Sequence, residues 1–402
     1  MRTCTAFTLT LLLGCSQTIS GSALDGGADR SLVDAPSEEV ARERFAPPLT
    51  AASPTRRLVL MEARTLVLNA NDVWYGWGDR LNETFGETPP TPVQTVTRLP
   101  LDEGANRHFF GSQSTCRVSR NGIRAPQCWG ANDRGQLGLG PPGPPVLEPR
   151  DIQTPRDISY LDPQKHFAWN GTAVYLWPFN LSPPGFPVRV EYVPQRIRES
   201  SFCVAAGDYF SSMGAFDCES GEIEFEQLSD DRANHIFRPT APIADVASFA
   251  TTEGGVLAVL RDGSVHCWGR CSLDASQDVV ETISSFQRVR EVPPIRYVVG
   301  RGASSGCAIT LQDEVVCWGD CQAHPNLGTG CDPSHRTSPR IPPTRVAGLS
   351  GVVELAMSAR HACALTRDHE LWCWGAGSEH QLVPEQELFQ LYDPVRVDVP
   401  DL

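Results

Sequence analysis

Gly255–Gly269 reads GVLAVLRDGSVHCWG. Two later stretches, Ser305–Gly319 (SGCAITLQDEVVCWG) and His361–Gly375 (HACALTRDHELWCWG), align with it without a gap. Each is an apolar run, a short polar turn, a second apolar run and then Cys-Trp-Gly. The turn pairs read as Asp262-Gly263, Asp313-Glu314 and Asp368-His369. Asp-Gly between alternating apolar residues is a strong hairpin signal, because glycine accepts a positive φ at no steric cost. Three copies of one hairpin make a repeat, and the repeat rather than the chain length decides how many domains there are.

Weaker copies lie upstream. They are Arg64–Gly78 (RTLVLNANDVWYGWG), Ser114–Gly130 (STCRVSRNGIRAPQCWG, with Asn121-Gly122 at the turn), Phe167–Trp177 (FAWNGTAVYLW, with Asn170-Gly171) and Phe202–Glu219 (FCVAAGDYFSSMGAFDCE, without a tryptophan). The closing tryptophan or its equivalent then falls at 77, 129, 177, about 219, 268, 318 and 374. Seven hairpin-bearing units of about 50 residues each fit propeller blades rather than helical solenoid turns. A lone blade cannot bury both faces of its sheet, whereas a ring of blades buries every face against a neighbour. The expected fold is therefore all-β, a seven-bladed β-propeller over residues 53–402. A Pro-Val-type strand follows each Cys-Trp-Gly, as at Pro92-Val93 and Arg345-Val346, and reads as the opening strand of the next blade. The first blade starts abruptly at Arg57-Leu58-Val59-Leu60. The last strand, Asp393-Pro394-Val395-Arg396-Val397, is thus expected to complete the first blade and close the ring.

The fixed repeat position of Trp77-Gly78, Trp129-Gly130, Trp268-Gly269, Trp318-Gly319 and Trp374-Gly375 assigns these residues to blade packing. Sugar stacking by the indoles, as in a carbohydrate-binding or carbohydrate-active propeller, is the alternative. Ala131-Asn132-Asp133-Arg134-Gly135-Gln136-Leu137-Gly138 follows the second copy. Together with His361-Ala362-Cys363-Ala364-Leu365 and Cys373-Trp374-Gly375, it resembles the repeat of the regulator of chromosome condensation family. That resemblance implies a seven-bladed propeller. It also brings guanine-nucleotide exchange on a GTPase as a function by analogy, which a leader and paired cysteines argue against here.

The N-terminus reads as an address. Arg2 is followed by the short apolar stretch Ala6–Leu13, too short to span a bilayer, which needs about 20 apolar residues. It ends Leu12-Leu13-Gly14-Cys15, which resembles the bacterial lipobox, with Cys15 as the lipidated residue; an ordinary secretory signal cleaved after Ser20 or Ala23 is the alternative. Residues 1–14 are then a signal peptide and 15–52 a lipidated cysteine with a Ser-, Gly-, Ala- and Pro-rich tether. A membrane contact through the lipid, export to the bacterial cell envelope and a monomeric state are expected.

Of fourteen cysteines, twelve remain beyond Cys4 and Cys15. Cys307/Cys317 and Cys363/Cys373 flank their hairpins symmetrically, and facing residues of adjacent strands lie near disulfide range. Cys116/Cys128 and Cys203/Cys218 are longer versions. Leu257 stands where Cys267 would have its partner, which leaves Cys271 for it, and Cys321/Cys331 would staple a loop. Zinc held by Cys267-x3-Cys271 and Cys317-x3-Cys321 is the rival reading, but those pairs belong to different blades.

No nucleophile elbow, zinc-protease helix, phosphate loop or EF-hand loop is present; Gly135–Gly140 is glycine-rich but lacks the lysine of a phosphate loop. No cofactor or metal is expected. His266, His361 and His369 read as structural or exposed, and the sequons at Asn82, Asn170 and Asn180 as chance matches. The net charge of −14 argues against nucleic acid as a general partner. With 34 glycines and 33 prolines, one residue in six breaks or turns the chain, as many short strands require. The expected function is that of a protein-binding module with an unknown protein partner, working through the variable loops Pro141–Pro149, Asn180–Pro187 and Gln322–Arg340. An enzyme is not expected.

Overall fold

The structure, a computed structural model, describes residues 57–402 apart from 62, 80, 86–91, 103, 105, 159, 164–166, 170–173, 177–187, 191–201, 207–211, 218–222, 229–235, 238–242, 253–254, 276–279, 302–304, 322–324, 329–330, 332–339 and 385–388. The described strands form seven antiparallel sheets of four, each built from four consecutive strands. Blade one holds β1 (Leu58–Met61), β2 (Arg64–Leu68), β3 (Trp74–Gly78) and β4 (Val93–Arg98). Blade two holds β5 (Asn106–Phe110), β6 (Ser114–Ser119), β7 (Gln127–Gly130) and β8 (Val146–Asp151). Blade three holds β9 (Tyr160–Asp162), β10 (Phe167–Trp169), β11 (Val174–Leu176) and β12 (Val188–Val190). Blade four holds β13 (Phe202–Ala206), β14 (Ser212–Asp217), β15 (Ile223–Leu228) and β16 (Ile236–Phe237). Blade five holds β17 (Val246–Thr252), β18 (Gly255–Leu260), β19 (Val265–Cys271) and β20 (Glu281–Arg288). Blade six holds β21 (Ile295–Arg301), β22 (Ser305–Thr310), β23 (Val315–Asp320) and β24 (Arg340–Arg345), and blade seven β25 (Val352–Met357), β26 (His361–Thr366), β27 (Leu371–Ala376) and β28 (Gln390–Val397).

The second strand of a blade is covered on both faces, so it reads as an unbroken small-apolar run. Every residue of β22 (SGCAIT) and β26 (HACALT) is buried. Fourth strands are largely exposed, as in β4 and β8. Three of them carry proline, at Pro149, Pro342-Pro343 and Pro394.

The cores lie between blades. Cys307, Ile309 and Cys317 of blade six pack with Leu355, Ala364 and Trp374 of blade seven. Leu257, Val259 and Cys267 of blade five pack with Val298, Ala308 and Trp318 of blade six. Leu58, Val67 and Trp77 of the first blade pack with Cys363, Leu365 and Cys373 of the last. Cysteine and tryptophan are neighbours in sequence, so they face opposite ways from the strand. In blades six and seven, the cysteine meets the next blade and the tryptophan the previous one.

The glycine completes the motif. In blades one, two, five, six and seven, the register between third and fourth strands slips at the tryptophan, a β-bulge. The following glycine has φ of +108° at Gly78 and +129° at Gly319. A Cβ on Gly78 would lie 2.3 Å from the Ala63 carbonyl oxygen.

Four expectations need correction. β28 does not complete the first blade; it pairs with β27, with Cys373 opposite Val395. The Pro-Val-type strands close their own blades rather than opening the next ones, so the first blade lacks nothing and β1 is its own inner strand. The two end blades are instead joined by side chains and by the tail beyond β28, where the amide of Ala70 donates to the Asp401 carbonyl and Asn69 to that of Pro400. In blade four, the hairpin Phe202–Asp217 forms strands one and two, not two and three, and the third strand is the tryptophan-free β15. The turn of blade six is also shifted by one. Asp313, at φ 60°, occupies the left-handed position that Gly263 and His369 hold in blades five and seven, so Gln312-Asp313 is the equivalent pair. These turns end in one left-handed residue and close with a bond such as Thr310 N to Glu314 O, the geometry of a type I turn with a bulge.

Candidate interaction surface

Strands alternate in direction within a blade. The first-to-second turns and third-to-fourth loops therefore leave at one end of the sheets. The second-to-third hairpins and the blade-to-blade connections leave at the other. The variable loops Pro141–Pro149 and Gln322–Arg340 are third-to-fourth connections and so leave their sheets at that same end. Pro141–Pro149 runs into β8, Asn180–Pro187 lies outside the described residues, and Gln322–Arg340 is described at Pro325–Gly328, Cys331 and Arg340.

These loops are also structural. In blade two the Asn132 carbonyl accepts from Gly135 N (3.2 Å) and Gly143 N (2.8 Å), while Gln136 donates to Asp133 (2.8 Å), and the turn drives Leu137 into the core. In blade seven the Gln381 carbonyl accepts the indole N–H of Trp77 (3.2 Å) and the Thr65 hydroxyl (2.8 Å), both from blade one. In blade six the Asn326 carbonyl accepts the indole of Trp374 from blade seven (2.9 Å). Thr115 of blade two donates likewise to Thr84 O of blade one (2.8 Å). The loops of blades one, six and seven thus each cap the blade that follows. The tryptophans at 77, 129, 268, 318 and 374 are at most 5% exposed, so their faces are spent on packing and unavailable for sugar stacking.

At the opposite end the hairpins clasp one another. Asp72 of blade one pairs with Arg120 of blade two (3.3 Å), and Asp313 of blade six with Arg367 of blade seven (2.6 Å). Asp313 also holds the buried Arg296 (3.0 Å), whose guanidinium reaches the Val352 carbonyl of the next blade (2.6 Å). Sequence reasoning missed this arrangement. The signal was present: Asp72 and Asp313 sit at one repeat position, and Arg120 and Arg367 at another.

The structure brings five of the six proposed cysteine pairs to bonding distance: Cys116–Cys128, Cys267–Cys271, Cys307–Cys317, Cys321–Cys331 and Cys363–Cys373. The three cross-strand pairs have Cα atoms 4.1 Å apart. Leu257 does stand opposite Cys267 in the register. Cys203 is on β13 and Cys218 lies outside the described residues, as do Cys4, Cys15 and the whole of 1–56. Among the described residues no group of three His, Cys, Asp or Glu side chains gathers as metal ligands, and Cys317 and Cys321 bond to different partners.

The histidines are placed for structure. His369 is an exposed turn residue. His266 is half-buried, and burial lowers its pKa, against the pull of Asp262. His108, which sequence reasoning did not single out, bonds to Asp102 (3.0 Å), and Arg117 bonds to the same oxygen (3.1 Å). Burial holds His108 below its usual range although Asp102 pulls the other way. Asp102 lies below the carboxylate range because Arg117 and His108 outweigh the effect of its own burial. His361 is wholly buried, and loss of hydration pushes its pKa down to about 3.

Four-stranded antiparallel blades with inter-blade cores define a β-propeller. Residues 352–381 match the family described as the regulator of chromosome condensation (RCC1) repeat. Among solved structures, the yeast RCC1 (Prp20) of a crystal structure with Kap60 superposes with a TM-score of 0.61 at 13% identity, covering 96% of this chain and 92% of that one. Human WBSCR16 gives 0.59 at 19%, covering 81% and 93%. The chain thus has a β-propeller fold similar to that of these proteins, and its residues 352–381 match the regulator of chromosome condensation repeat. The guanine nucleotide exchange factor SRM1 of Saccharomyces cerevisiae is 24% identical over 286 residues, 68% of this chain and 58% of that protein. The E3 ubiquitin-protein ligase HERC2 of Mus musculus is 26% identical over 159 residues, 39% of this chain and 3% of the ligase. The chain therefore spans less than two thirds of the length of either relative.

Proposed function

We propose that this propeller is a protein-binding module, exported and lipid-anchored at a bacterial cell envelope, that meets its partner through the end carrying the third-to-fourth loops. The single observation that carries the reading is the pairing of buried cysteines within the blades, five pairs among the described residues. Disulfides persist in oxidising compartments and are rare in the cytosol. The Leu-Leu-Gly-Cys15 run behind Ala6–Leu13 supports an address outside the cytoplasm. A propeller's rigid blades hold variable loops in a fixed array, the arrangement by which scaffolds present binding residues.

Metabolic labelling with a palmitate analogue tests the anchor. Acylation of the wild-type chain, lost in Cys15→Ala, is the expected result. Crosslinking in the intact envelope, followed by mass spectrometry, tests the binding; crosslinks from the third-to-fourth loops to one protein partner are expected. A second reading, guanine nucleotide exchange, draws on the likeness to SRM1. An unlabelled, fully reduced cytosolic protein that accelerates nucleotide release from a GTPase would replace the first reading with the second.

A further inference from the structure

No strand pairs across the seam between the first and last blades, which is held by side chains, the tail and the Asp79 amide bond to the Glu379 carbonyl. At its centre His361 of blade seven bonds to Thr65 of blade one (2.8 Å) and to Ser358 (2.9 Å). The donors can be assigned by counting. The single Thr65 hydroxyl proton goes to the Gln381 carbonyl, so Thr65 accepts from His361 Nε2–H. Nδ1 then carries no proton and accepts the Ser358 hydroxyl (2.9 Å), which also has the His361 carbonyl within reach (3.1 Å). That Ser358 oxygen already accepts the amides of Arg360 (3.2 Å) and His361 (3.1 Å), which fills both lone pairs. A proton on Nδ1 would force the Ser358 hydroxyl onto the His361 carbonyl and compete with two amides for the Ser358 oxygen, and it would place a charge in a site closed to water.

We propose that this seam is an acid-opened clasp, in which protonation of His361 parts the first blade from the seventh while the other blade joins stay shut. Among the described residues no carboxylate bonds to His361. Glu379 is paired with Arg360 (2.9 Å), Arg64 is turned to Thr84, and His380 contacts Gln94 (3.1 Å). Asp79 takes part through its amide, which donates to the Glu379 carbonyl. Glu354 faces the amides of Arg57 and Leu58 (3.4 and 3.0 Å), and its own protonation would weaken the same seam. Burial is the sole cause of the low histidine pKa, with no neighbouring charge contributing.

The direction follows from linkage. In the parted state the imidazole regains its ordinary pKa of about 6.5, while in the closed state it stays neutral down to about 3. Acidification between those values favours the parted state, by about tenfold per pH unit once below the upper value.

Hydrogen–deuterium exchange on the full chain, corrected for the intrinsic pH dependence of exchange, tests the clasp. Protection of 58–68 and 361–382 should fall about thirtyfold from about pH 8 to about pH 5, while the join of blades five and six, at 256–268 and 298–309, holds. His361→Gln, which keeps a side-chain donor but does not titrate, should flatten that step. Equal loss at every join, or unchanged protection at 58–68, would overturn the proposal from the wild-type protein alone. A His361→Gln chain that keeps the step would overturn it as well.

Discussion

The indole nitrogen of Trp77, in the first blade, donates to the carbonyl oxygen of Gln381, in the last, at 3.2 Å. Trp374 makes the same bond one join earlier, to Asn326. A tryptophan on the third strand, bonded to the preceding blade's loop, is therefore a joint rather than a surface feature.

Trp374→Phe keeps an aromatic ring but loses the bond to Asn326 and part of the buried ring volume. The variant is expected to lose about 2 kcal/mol, from the bond and the vacated volume together. Trp374→Ala should lose about 3–5 kcal/mol, because the side chain is completely buried. Urea unfolding of the pair ranks the two losses, and a Trp374→Phe chain as stable as wild type would show that the bond contributes nothing.

Gly78→Ala is expected to destabilise by well over 1 kcal/mol, since φ is +108° and the new methyl would meet the Ala63 backbone. Gly143→Ala is the comparison. It lacks a positive φ, and its nearest neighbour would be 3.9 Å away. The control should stay within about 0.5 kcal/mol of wild type in thermal melts.

Asp313→Asn tests the double clasp. Asparagine tolerates the left-handed turn position, so the backbone is kept while the charge is removed. Arg296, with a side chain 7% exposed, would be left without its counter-ion, and a loss of about 3 kcal/mol is expected. Arg367→Ala, at an exposed pair, should cost less than about 1 kcal/mol. A smaller loss for Asp313→Asn than for Arg367→Ala would contradict the assignment.

Non-reducing peptide mapping should find Cys307 joined to Cys317 and Cys363 to Cys373. Replacing either pair by alanine is expected to cost about 2–3 kcal/mol, the range for bridges that close short loops. Free thiols at these positions in protein taken from its native compartment would sink both the pairing and the oxidising address.

Blades five to seven were readable because a strand covered on both faces must be apolar throughout, and because Cys-Trp-Gly marks its partner. Blade four was misassigned because β15 (IEFEQL) has no tryptophan, so the clearest hairpin nearby was mistaken for the repeat's own. The place of β28 was missed for a different reason. A Pro-Val strand looks the same whether it opens a blade or closes one, and only the pairing of Cys373 with Val395 decides. The inter-blade clasps were missed because Asp72 and Arg120 each pass for a solvated turn residue, and they stand 48 residues apart. Variable loops could be placed at one end of their sheets from topology, whereas their dual use as caps could not. It depends on main-chain carbonyls, which sequence does not distinguish.

The prolines of the fourth strands restrict how this molecule can be approached. Pro149, Pro342, Pro343 and Pro394 remove amide donors from the rims of blades two, six and seven, where an incoming extended peptide would otherwise add a fifth strand. Such a rim resists fusion with neighbouring copies at high local density on a crowded surface. It also means that a ligand at those blades must be recognised by side-chain chemistry, because ladder growth is closed to it.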